Sequence, residues 1–60
     1  MDKDTAIEIM LNSFNEDTEK MCKQFGMPDE EIAQKIIESQ QSIYFLLSNA
    51  YDKLEEAKGL

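Results

Sequence analysis

Lys23-Gln24-Phe25-Gly26-Met27-Pro28-Asp29-Glu30-Glu31 holds a helix stop and a helix start with almost nothing between them. Gly26 suits the residue just past a helix end, because it can take positive φ without steric cost. Met27-Pro28 makes the turn. Pro28 is pre-set for the first helical position, where its missing N–H costs nothing. Asp29, Glu30 and Glu31 then place negative charge against the positive end of a helix dipole. A connection this short forces the flanking helices to lie antiparallel. The punctuation therefore predicts a hairpin: helix one over about 4–25, turn 26–27, helix two over about 28–57.

Working back from the turn, Thr5-Ala6-Ile7-Glu8 fits a capping box at the start of helix one. Ile7, Leu11, Phe14, Thr18, Met21 and Phe25 alternate four- and three-residue spacing, a heptad seam with one polar member. Met10 and Cys22 widen it on its two flanks, and Ile9 faces away. Asn12 to Thr18 is rich in poor helix formers. Ser13-Phe14-Asn15-Glu16 even reads as a second capping box, so a break near Ser13 is the competing expectation.

Working forward, helix two is unusually long and its apolar face unusually wide. The inner seam is Ala33, Ile36, Gln40, Ile43, Leu47, Ala50, Leu54 and Ala57. A second stripe, Ile37, Tyr44 and Tyr51, runs beside it at seven-residue spacing. Ile32 and Leu46 lie on the other flank, and Ile43-Tyr44-Phe45-Leu46-Leu47 is apolar on every side. One partner helix buries one face of such a segment and leaves the rest. Folding about Gly26-Met27 sets Met21 against Ala33, Phe14 against Ser39/Gln40, Leu11 against Ile43 and Ile7 against Leu47. Tyr51 and Leu54 are then left uncovered. Gln40 in the seam is expected to fix register.

Sixty residues make one domain at most, and a domain of that size is marginal without reinforcement. One cysteine excludes an internal disulfide. With no histidine and no cysteine pair, a structural zinc site lacks ligands. Oligomerisation is the remaining remedy. The net charge is −7 and no arginine is present, which argues against nucleic acid and against anionic membranes. The apolar runs are too short for a membrane span or a signal peptide. The expectation is a complete small reading frame and a cytoplasmic product, of the kind phages and mobile elements encode.

Catalytic chemistry finds little purchase. Histidine, the usual general base at neutral pH, is absent. Glu38, opposite the seam, reads as a solvated glutamate. Cys22 reads as a small filler at the seam's edge, since Lys20 and Lys23 point elsewhere on a helix. Asp29-Glu30-Glu31 lacks the alternation and the bidentate glutamate of a calcium loop. No catalytic residue, metal ligand or cofactor is expected. Tyr44 and Tyr51 carry more signal, because tyrosine is favoured at protein interfaces.

The two-helix layout resembles the repressor-of-primer family, helical hairpins that dimerise into four-helix bundles. That family's RNA binding uses a basic, polar helix face. Here Glu8, Asn12, Glu16 and Glu19 occupy the outer face of helix one, so the activity is not carried over. Ser39-Gln40 is also similar to the start of the motif of hairpin phosphatases acting on sporulation response regulators. Their motif continues to an aspartate where this chain has Ile43. Neither family is claimed.

The sequence thus predicts an all-α antiparallel hairpin assembling as a dimeric four-helix bundle or higher oligomer. Its hairpin core is Ile7, Leu11, Phe14, Met21, Phe25 and Ile36. Its interface, with itself or with a partner, is Ile37, Ile43, Tyr44, Phe45, Leu46, Leu47, Tyr51 and Leu54. The expected function is that of a non-enzymatic acidic regulator that self-associates and binds or inhibits another protein. The alternatives are an oligomeric sponge for a small signalling ligand, which the scarcity of lysine disfavours, and a structural scaffold helix.

Overall fold

The computed structural model describes residues 1–59 and shows two helices, α1 (Lys3–Gln24) and α2 (Asp29–Lys58), packed against each other as a hairpin. Both run without interruption, and α1 passes through Asn12 to Thr18 unbroken. The molecule measures 46 × 18 × 15 Å. Its length is that of α2 alone, since 30 helical residues rise about 45 Å.

The start of α1 lies earlier than the sequence suggests. Asp2 is the N-cap, and its carboxylate accepts the Thr5 amide at 2.8 Å. The capping unit is therefore Asp2 to Thr5, and Thr5 lies inside the helix. An acidic oxygen three residues back satisfies an end-of-helix donor, and its charge suits the dipole as well.

The turn follows its punctuation closely. Gly26 sits at φ +80°. Its N–H donates to the Lys23 carbonyl at 3.0 Å, and the Met27 N–H donates to Cys22 at 3.2 Å. This nested pair is the Schellman arrangement, which occupies carbonyls that a helix end would leave bare. Pro28 is extended (φ −64°, ψ 150°) and caps α2 from outside, one position before the expected one. Its carbonyl still accepts the Ile32 amide at 3.1 Å.

The seam departs from the heptad. Along α1 a covered line runs through Lys3, Ile7, Leu11, Asn15, Thr18 and Cys22. On α2 it runs through Ile32, Ile36, Gln40, Ile43, Leu47 and Tyr51. The steps are mostly four residues with one of three, which is an eleven-residue pattern on α2. Such a period drifts opposite to a heptad. Phe14, Met21 and Phe25, expected in the core, are consequently rotated to the outside of a single copy, with Phe25 80% exposed. Asn15 and Cys22 take the facing positions. Only Ile7 (1% exposed) and Ile32 (3%) are fully buried apolar residues among those described. Leu11 and Ile36 are half-buried.

Candidate interaction surface

The covered seam is built around a polar pair. The Asn15 amide nitrogen donates to Gln40 Oε1 at 3.2 Å, and Gln40 Nε2 donates back to Asn15 Oδ1 at 2.9 Å. Gln40 Nε2 also reaches the Ile36 carbonyl at 3.3 Å. Near the open end, Lys3 Nζ lies 2.9 Å from Asp52 Oδ1. These pairings place the helices within one residue of the alignment that folding about Gly26-Met27 predicts. Tyr51 differs from expectation. It is half-buried, and its hydroxyl donates to the Met1 carbonyl at 3.4 Å, because the residues before α1 reach over it. Leu54, beyond that reach, is exposed.

What the seam leaves outside is the larger part of the apolar inventory. On α2, Ile37 (72% exposed), Phe45 (64%), Tyr44 and Leu46 all face outward. Helical residues turn about 100° each, so Tyr44 and Ile37 share one side and Leu46 lies about 160° round from them. Phe45 points directly away from α1. Ile43 and Leu47 belong to the seam and are half-buried. On α1, Phe14, Met21 and Phe25 form an exposed stripe, and Ile9 stands on the outer face.

Shallow grooves lie among the described residues, three of them along the two helices. Phe14, Thr18, Lys35, Glu38, Ser39 and Ile43 line one of about 390 Å³, bridging both helices. A second, of about 440 Å³, lies on α2 among Glu38, Gln41, Ser42, Phe45 and Leu46. The two share Glu38 and so meet. The third, of about 320 Å³, is on the other side of the seam, where Glu19, Lys23, Asp29, Ile32, Ala33 and Ile36 surround it.

The total accessible surface is 4861 Å². A compact monomer of this size exposes roughly 4,000 Å², an excess of roughly 900 Å². The radius of gyration tells the same story: 13.9 Å against about 10 Å for a compact chain of 60 residues.

Electrostatics are local and solvent-facing. The hydroxyl and amide of Thr5 hold the Asp2 carboxyl below the usual carboxylate range. Hydrogen bonding to Asp52 raises Lys3, and hydrogen bonding to Glu19 raises Lys23. Lys58 pairs with Glu55 at 3.4 Å. Among the described residues no group of three or more cysteine, aspartate or glutamate side chains is placed to hold a metal ion, and no helix is long and apolar enough to cross a membrane.

Sequence reasoning left five covered residues out of its seams: Lys3 and Asn15, which it did not place, and Cys22, Ile32 and Tyr51, which it set on the flanks or in the second stripe. On α2 the signal that finds Ile32 and Tyr51 is the eleven-residue spacing of Ile32 with Ile43, Ile36 with Leu47 and Gln40 with Tyr51. No protein-family model matches the chain, and comparison with curated proteins and with solved structures returns no match.

Proposed function

We propose that this chain is a non-enzymatic, acidic helical interaction protein that self-associates and binds, as a regulator or inhibitor, another protein. The single observation that supports it is the imbalance of its surface. Among the described residues two apolar side chains are buried in one copy, while Ile37, Tyr44, Phe45, Leu46, Phe14, Met21 and Phe25 stand out in solvent. Large apolar side chains exposed on this scale mark surfaces that other molecules cover. The net charge of −7 directs the foreign partner toward a basic surface. Tyr44 and Ile37 supply area at low entropic cost beside Glu30 and Glu55, which follow the same side of α2.

The test is capture of a host protein by the immobilised chain, followed by titration of the purified pair. Tyr44→Ala raises Kd by more than about tenfold if Tyr44 is an anchor. The reading fails if affinity is unchanged in Tyr44→Ala and in Ile37→Ala while the hairpin stays folded.

A further inference from the structure

We propose that a second copy of this chain covers the side of the hairpin carrying Phe14, Ile43 and Leu46 around Glu38, and that the Ile37/Tyr44 side stays open for the foreign protein. This rests on the interaction reading above and gives its two ligands separate faces.

The area argues for one standard interface. The excess surface of roughly 900 Å² is close to the roughly 800 Å² that each partner buries in a stable protein pair. A rod of 46 × 18 × 15 Å can remove that much only along a whole long side. The Phe14 side offers such continuity. Its two grooves adjoin at Glu38, so Phe14 and Ile43 of one and Phe45 and Leu46 of the other lie on either side of that carboxylate. The groove across the seam is walled by Glu19, Lys23 and Asp29, and its lysine already pairs with Glu19 at 2.9 Å.

Charge selects a copy of the same chain. Two molecules of net charge −7 can approach only where the local charge is low. The bridging groove holds one lysine and one glutamate, Lys35 and Glu38. Lys3, Lys23 and Lys58 are paired within the chain, whereas Lys35 makes no ion pair among the described residues. Glu38 takes only a hydrogen bond from Gln34, at 3.0 Å. A groove lined by one unpaired charge of each sign is self-complementary. Across a two-fold axis each copy's Lys35 can meet its counterpart's acid, and the reverse.

The experiment compares two matched substitutions on α2 by sedimentation equilibrium. Leu46→Glu and Ile37→Glu add the same charge at similarly exposed helical positions on opposite sides. Leu46→Glu weakens self-association by more than about tenfold, and Ile37→Glu leaves it near wild type. Circular dichroism verifies helix content in both. A second readout does not depend on their folding: in a Cys22→Ser background, Ser42→Cys cross-links between copies with a short thiol reagent and Ser48→Cys does not. Equal effects of the two glutamates, the reverse order, or cross-linking confined to Ser48→Cys would each overturn the assignment. A wild-type chain that stays monomeric up to about 1 mM also overturns it, and leaves the foreign-partner reading to the Tyr44 test.

Discussion

Asn15 and Gln40 exchange hydrogen bonds across the middle of the hairpin, at 3.2 and 2.9 Å, in a seam that is otherwise largely apolar. Each amide gives and receives, so neither is left unsatisfied while they stay opposite each other. A slip of either helix separates them, which makes the pair a register device.

Removing one member strands the other. Asn15→Leu or Gln40→Leu alone is expected to cost about 1 kcal/mol, the lower end for a half-buried orphan. The double substitution recovers most of that loss, since two apolar groups replace two matched polar ones. Urea denaturation of the four proteins gives the coupling directly. The double variant should also bring a second alignment of the helices within reach, visible as doubled amide resonances. Additive losses would show that the amides do not act together.

Ile7 and Ile9 are two residues apart and opposite in fate, one buried and one exposed on the outer face. Ile7→Ala removes one of the two buried apolar side chains described and should cost about 2–5 kcal/mol. Total stability for a chain this short is on the order of 3–9 kcal/mol, so this variant sits at the edge of unfolding. Ile9→Ala should change stability by no more than about 0.5 kcal/mol. Thermal melts of the pair decide it, and equal melting temperatures would contradict the packing described.

The turn was readable because its signals are local. Gly26, Pro28 and the three acids act through backbone freedom, ring geometry and the dipole, and none depends on what lies across the hairpin. The register was readable for a similar reason, since a short turn leaves few ways to align two helices. The seam of α1 was misread at Asn15. Phe14 continues a heptad perfectly well, and nothing local says that an amide will displace it. Gln40 decides that, from 25 residues away, together with the four-residue steps of Ile32, Ile36 and Gln40. On α2 the width of the apolar face was legible, because it exceeds what any single partner helix can cover. Which side would be covered by another molecule was not legible, since periodicity carries no information about other chains.

The helix caps give a pH signature with a definite sign. Asp2 titrates below its ordinary value of 3.8 because Thr5 binds its charged form. Its stabilisation is present above 3.8 and is lost as the pH falls through the lowered folded value. Asp2→Ala should therefore melt earlier than wild type at pH 7, with the gap closing in strong acid. Lys3 behaves in the opposite sense. Asp52 raises it above 10.5, so its contribution holds below 10.5 and fades as the pH climbs through the raised value. Asp52→Asn should remove that alkaline dependence. A cap gap that stays undiminished however far the pH is lowered would show that Asp2 acts through its shape and not its charge.

Salt should act on the two proposed surfaces with opposite sign. Two copies at −7 repel, and raising salt from about 0.1 to 1 M shortens the screening length from roughly 10 to 3 Å. Self-association through an apolar, locally neutral side should therefore strengthen with salt, and again as the pH approaches 4.3, the isoelectric point of the sequence. A basic partner held beside the carboxylates should be released under the same salt. Sedimentation at two salt concentrations, with and without the captured partner, measures both trends on one sample. Self-association that weakens with salt would mean that ion pairs, and not Phe14, Ile43 and Leu46, join the two copies.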